Sequence, residues 1–322
     1  IEDVNRKFNE DLQKQIDGTL PEGHIYQLGM PSEILKSTGI PDYPIQLSAK
    51  RLIDKATKFN HDFSLLDIKN IVEAVQNPIA IFKYGNEKKA QNLVIELQSE
   101  DKNFIIGLSI NPTINGNELH INSIRNVFPK DNAEWLNWIM QEKLLRVDKE
   151  RIQNLINKQR TNLADVAYLD LDSITKIVEN FENPTIEEGK IVFSVDEMSD
   201  KLNTPIHIAR SLNEIPDGSA KRAIEEGRKV KAWFAPKSNE VVLYLPNTTD
   251  VNDAIRSVLH EVVGHKGLRN LFGTENETKF DSMMMDLFEK LPLNVRSEIA
   301  DMAVSRYANN VSVAMDEYLA EQ

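Results

Sequence analysis

Ile79-Ala80-Ile81-Phe82-Lys83-Tyr84 is the first of four segments, with 92–97, 104–110 and 118–128, that are rich in Val, Ile and Phe. Gly85-Asn86, Asp101-Lys102 and Asn115-Gly116-Asn117 stand between them. β-branched and aromatic runs separated by Gly and Asn turns predict strands joined by hairpins. The four together predict an antiparallel meander.

Outward from the meander the pattern turns helical. Residues 2–17 are charged and helix-compatible, and 25–44 are broken by Pro and Gly into short strands and loops. Ser48 can cap a helix over 49–60, with Leu52, Ala56 and Phe59 on one face and Arg51, Lys55 and Lys58 on another. A second helical stretch, 65–74, stops before Asn77-Pro78. Beyond the meander, 134–145, 149–163 and 171–181 read as helices, then 191–195 as a strand, and 196–202 and 220–226 as helices. A hairpin follows over 230–234 and 240–245, and the rest of the chain suits helices at 251–265, 279–288, 294–308 and 313–321. Helices before and after an antiparallel sheet make an α+β fold. The expected division is a helix at 1–20, an α+β domain at 21–147, a helical connector at 148–189 and a C-terminal domain at 190–322.

Composition narrows the function classes. The 322 residues include no cysteine, which excludes disulfide scaffolds, thiol catalysis and Cys-ligated zinc or iron–sulfur clusters. With 38 basic against 50 acidic residues the net charge is −12, so the overall positive field of a nucleic-acid binder is lacking. No run of about 18 apolar residues occurs and the start has no signal-peptide pattern, giving the expectation of a soluble chain with no membrane partner. Ile1 stands where Met is usual, which points to a fragment or a processed chain.

The chemistry concentrates in Leu259-His260-Glu261-Val262-Val263-Gly264-His265. Two neutral imidazoles and a carboxylate beside them suit a zinc hydrolase. Yet histidines five apart on a regular helix point about 140° away from each other, where four apart leaves about 40°. Either these are two unrelated histidines on a surface helix, or a local π-turn at Gly264, which has no Cβ to clash, returns them to one face. A third ligand is offered by Asp316-Glu317-Tyr318-Leu319-Ala320-Glu321, where Glu317 and Glu321 share a helix face with Asp316 beside it. One of these acids can bind metal while the others accept the spare ring N–H groups; the alternative is an acidic, solvated C-terminal helix.

His260-Glu261-Val262-Val263-Gly264-His265 resembles the His-Glu-x-x-Gly-His motif of dipeptidyl peptidase III-like zinc peptidases. Asp316–Glu321 resembles their Glu-Glu-x-x-Ala-Glu motif, with Asp in place of the first Glu. The stretch 190–322 is more similar still to the zincin-like metallopeptidase domain of large polyvalent proteins carried by phages and conjugative elements. That resemblance implies Zn2+ held by His260, His265 and Glu317, Glu261 as general base and acid, Asp316 and Glu321 around them, and a peptide or protein substrate. It implies a module of a mobile-element polyprotein or effector, cytoplasmic or delivered into a host cell. The strand at 240–245 is expected to pair with an extended peptide. Tyr318, Arg256, Lys266 and Arg269 are either oxyanion ligands or ordinary helix charges, and no role is assigned.

Residues 25–145, through Leu28-Gly29-Met30-Pro31-Ser32, the basic helix into His61 and Asn77-Pro78, resemble the MuF-like C-terminal domain of the barnase–EndoU–colicin–RelE-like nuclease superfamily. Nucleases of that kind cut RNA without metal, which makes Ser48, Lys58 and His61 the candidates there. The alternatives to the peptidase are therefore a metal-independent ribonuclease effector, with RNA as partner, and a non-catalytic capsid-associated binding protein. His24, His120 and His207 read as packed or surface histidines, Trp135 and Trp138 as packing, and Met283-Met284-Met285 as adaptable core.

Overall fold

The computed structural model describes residues 1–58, 63–85, 87–97, 102–161, 169–216, 218–272 and 277–321, with backbone alone for 57, 58, 271, 272 and 277. It divides into two compact units, Ile1–Lys190 and Ile191–Gln322. Among the described residues no helix is long and apolar enough to cross a membrane.

The first unit runs α1 (Glu2–Ile16), β1 (Ile25–Gln27), α2 (Glu33–Lys36), β2 (Ile45–Ser48), α3 (Ala49–Lys58), α4 (Ile71–Gln76), β3 (Ala80–Tyr84), β4 (Glu87–Ile95) and β5 (Lys102–Ile110). A short ladder of β6 (Thr113–Ile114) and β7 (Asn117–Glu118) leads to β8 (Asn122–Asp131), α5 (Asn132–Met140), β9 (Leu144–Val147), α6 (Lys149–Thr161) and α7 (Leu171–Asn180). The expected meander is present as β3-β4-β5-β8, but it is the middle of a seven-stranded sheet ordered β1-β2-β8-β5-β4-β3-β9. Only β2 and β8 run parallel; the other neighbouring pairs are antiparallel, so the sheet is mixed rather than four-stranded.

β1 lies in the stretch read as short strands and loops, whereas β9 and β2 escaped the sequence pattern for physical reasons. The helix expected over 134–145 ends at Met140, because Glu142 takes a left-handed backbone (φ 54°) and turns the chain into β9. β2 pairs with β8 only at Asn122 and Ser123, after which Ser48 accepts from the Arg51 N–H and starts α3. Arg51 then donates to the Ile124 carbonyl in place of a strand. Pro129, which has no N–H, lies beyond the reach of β2. The helix expected over 65–74 is likewise split, by Asn70 at φ 64°.

The expected connector belongs to this unit's core. Ile152 and Ile156 of α6 and Leu171, Ile174 and Val178 of α7 are buried with Phe82, Trp135, Leu136 and Ile139. The Trp135 indole N–H is satisfied by Asn132 at 2.9 Å, confirming it as packing. The outer edge of β9 is closed by a side chain: Val147 N–H donates to Asn183 Oδ1 at 2.9 Å and Asn183 Nδ2 donates to the Val147 carbonyl at 2.8 Å. Val147 is buried, so Asn183→Ala leaves a donor and an acceptor unpaired and is expected to cost about 1–3 kcal/mol, read as faster amide exchange at Val147 and a lower unfolding midpoint.

α8 (Ile186–Lys201) passes from the first unit into the second. The expected strand at 191–195 lies inside it, a correction with a clear cause. Ile191 and Val195 are buried four apart with Val192 and Met198 beside them, a helical rather than an alternating pattern. Thr185 and Glu188 form a reciprocal cap at its start. Gly189 is no break: a Cβ there would stand 2.0 Å from the Lys36 carbonyl oxygen, so Gly is what lets α8 lie against the end of α2.

The second unit continues with β10 (Ile206–Ala209), α9 (Ser219–Glu225), β11 (Ala232–Ala235), β12 (Glu240–Tyr244), α10 (Val251–Leu259), a π-helical turn (His260–Lys266), α11 (Gly267–Phe272), α12 (Glu277–Lys290), α13 (Leu293–Arg306) and α14 (Val311–Ala320). The expected hairpin is β11–β12, and β10 adds to it in parallel, giving the order β10-β12-β11. Ala254 and Val258 of α10 bury against this sheet with Ile206, Val241 and Leu243. Phe280, Met284, Ile299, Ala303, Ala314 and Met315 form a separate helical core under α14.

Candidate metal centre

Asp250 caps α10 by accepting from the Asp253 N–H, and the helix delivers His260 just after its last regular turn. From His260 to Lys266 the hydrogen bonding widens to the π form. One extra residue in the turn cancels the misalignment of a five-residue spacing. The two rings lie 5.0 Å apart, and the ligand-capable atoms of His260, Glu261 and His265 all fall within 4.8 Å of one another.

α14 closes the cluster from the other side. Glu317 Oε2 is 3.5 Å from His260 Nε2 and its Oε1 is 3.5 Å from His265 Nε2. Asp316 Oδ2 holds His265 Nδ1 at 2.9 Å, which leaves Nε2 as the atom facing the cluster. Gly264 permits this approach: a Cβ there would stand 2.5 Å from the Ala320 Cβ and 3.0 Å from its Cα. The fourth side is β11, whose Phe234 N–H donates to Glu261 Oε2 at 2.8 Å.

Electrostatics follow from this packing. Burial pushes the Glu261 carboxyl above its usual range, against the pull of His265 and His260. Burial opposes charge on His265 as well, but its bonds to Asp316 and Glu317 outweigh that and hold it at about 10. Glu317 is the mirror case, drawn down to about 2 by the two imidazoles in spite of burial. His260 is raised, first by its contact with Glu317.

The structure thus brings together His260, Glu261, His265, Asp316 and Glu317. Glu321 is exposed at the end of α14 and lies outside this group. The strand at 240–245 supplies β12, which is central and flanked on both sides, so it has no edge for a peptide; the edge strand beside Glu261 is β11, whose Phe234 N–H is given to Glu261. The Phe234 N–H had no sequence signal, since every residue type but proline carries one. The Gly264–Ala320 contact had a faint one, in a small residue within each motif.

Elsewhere, His24 lies 3.4 Å from Asp11, His120 stacks on Tyr43, and His207 is exposed on β10. Ser48 is a helix cap, and the Lys58 side chain and His61 lie outside the described residues. Two clefts of the first unit, about 220 Å3 beside Arg146 and Lys149 and about 320 Å3 beside Glu73 and Arg151, do not include Ser48.

No curated protein and no solved structure matches the chain. Residues 52–154, from within α3 through the meander and β9 into α6, match the phage MuF C-terminal domain family.

Proposed function

We propose that the second unit is a zinc-dependent peptidase domain, carried together with a phage MuF-type domain in a mobile-element polyprotein or effector. The observation that supports it is the π-turn, which turns an unfavourable spacing into a convergent pair of imidazoles facing Glu317. Two nitrogens and a carboxylate are a fitting donor set for zinc, and His265 already has the partner that fixes its tautomer. His260, His265 and Glu317 would hold the ion.

When bound, zinc supplies Lewis acidity, easing the deprotonation of water and polarising a peptide carbonyl. The chain's own groups do the rest. Glu261, with Oε2 anchored on Phe234, takes the water proton at its carboxylate and passes it to the leaving amine. Its raised pKa suits a group that must both accept and release that proton. β11 is an edge strand, and an extended peptide can pair along it with backbone groups other than the Phe234 N–H.

Metal analysis by mass spectrometry tests this on chain purified without chelator or nickel. About one zinc per chain is expected, and none in His260→Ala. A parent chain that stays metal-free after incubation with zinc overturns the reading. RNA cleavage that persists in chelator would instead favour the ribonuclease alternative for the first unit, although Arg51 of its basic face is engaged on the Ile124 carbonyl.

A further inference from the structure

Arg269, in α11, is a cation beside the candidate centre to which the peptidase reading gives no task. Its Cζ lies 4.1 Å over the ring centre of Phe280 and 6.0 Å from that of Phe234. Its Nη2 is 4.0 Å from Asp316 Oδ2, the oxygen that holds His265 Nδ1. Only a fifth of the side chain is exposed. Arg269 Nε and Asp316 Oδ1 are both buried and carry no hydrogen bond, a donor and an acceptor on adjacent groups.

We propose that Arg269 is a positioning residue of the metal centre, whose charge holds the Asp316 carboxylate on His265 while its stacked plane fixes it between Phe280 and Phe234. The inference rests on the zinc reading above. A buried carboxylate with no countercharge is costly and turns toward whatever polar group it can find. A guanidinium can lie flat on an aromatic ring and still point N–H groups at a carboxylate in its own plane, which an ammonium cannot do as well. The same cation also stands 6.0 Å from the ring centre of Phe234, on the strand whose N–H orients Glu261. One residue thereby couples the alignment of a ligand to that of the proton carrier. Its position behind Asp316 also assigns it away from the oxyanion role.

The test uses the full chain and zinc alone, titrated against a chromophoric chelator, with the visible spectrum of the cobalt(II)-loaded chain as a second readout. Arg269→Met keeps the stem that packs on Phe280 and removes the charge. It is expected to weaken zinc binding about 10- to 100-fold and to shift the cobalt bands, as loss of a ligand's hydrogen-bonding support does. Arg269→Lys restores the charge without the stacked plane and recovers part of the affinity. Asp316→Asn reproduces the Met variant, and the double variant is no weaker than either single one, because both act through the same bond. Parental affinity and spectrum in Arg269→Met, or losses that add in the double variant, overturn the proposal. Should Arg269→Met fail to fold, weak binding in Asp316→Asn with intermediate binding in Arg269→Lys supports it, and parental binding in Asp316→Asn overturns it. A parent chain that takes up no zinc overturns the peptidase reading itself, an outcome distinct from a parent and an Arg269→Met that bind equally well.

Discussion

Glu261→Gln is expected to keep one zinc per chain while slowing peptide hydrolysis by about 10²–10⁴-fold, the usual worth of a positioned acid–base group. The amide has the shape of the carboxylate, and its oxygen can still accept from the Phe234 N–H, now 2.8 Å from Glu261 Oε2. What it cannot do is take a proton. Because Glu261 is buried, the substitution also relieves a desolvated carboxyl, so folding should not suffer. Metal content and turnover of a peptide substrate that the parent cleaves, measured on the same preparation, separate the possibilities. Zinc lost together with activity would make Glu261 a ligand, with Glu317 relegated to a supporting contact. Zinc and activity both retained would move the proton transfer to another group.

Gly264→Ala is expected to lower stability by about 1–3 kcal/mol and weaken zinc binding by tenfold or more. The added carbon would lie 2.5 Å from the Ala320 Cβ and 3.0 Å from its Cα, and neither atom can rotate away. α14 must therefore shift as a body, an overpacking strain of the kind that costs this much in cores. That helix carries Asp316 and Glu317, so the shift reaches the 2.9 Å bond to His265 and both 3.5 Å approaches to the imidazoles. Ala320→Gly in the same chain removes the shorter contact but leaves the Cα, so a partial recovery of both quantities is expected in thermal unfolding and zinc titration. Unaltered binding in Gly264→Ala would show that the turn tolerates the separation of the two elements.

Both substitutions depend on features that the sequence announced unequally. His260, Glu261 and His265 were readable as a group from residue types, and the mismatch between spacing and helical period named the π-turn that the structure contains as one of two readings; the choice of Glu317 over Asp316 and Glu321 came from the family resemblance alone. The meander was readable for the same reason: alternation and turn residues are local signals, and β3, β4, β5 and β8 carry them. The strands that were missed, β2, β6, β9 and β10, are each four residues or fewer and owe their state to a neighbour rather than to their own pattern. Ile206–Ala209 becomes a strand because β12 lies alongside it in parallel. The misreading of 191–195 came from treating Gly189 as punctuation, when its lack of a side chain serves the contact with Lys36. Contacts between distant residues, such as Phe234 with Glu261 and Arg269 with Asp316, leave no periodic trace in a single chain.

The widened turn at His260–Lys266 amounts to a one-residue insertion absorbed within a single helical coil. The helix before it packs on the sheet through Ala254 and Val258, and the turn itself meets α14 at Gly264, so both contacts are made across the longer spacing. Val263, the residue most exposed in that turn, is where such an insertion disturbs the least packing. A four-residue and a five-residue spacing of histidines are thus neighbouring solutions on one scaffold, a single codon apart in length, and the choice between them is made inside the turn.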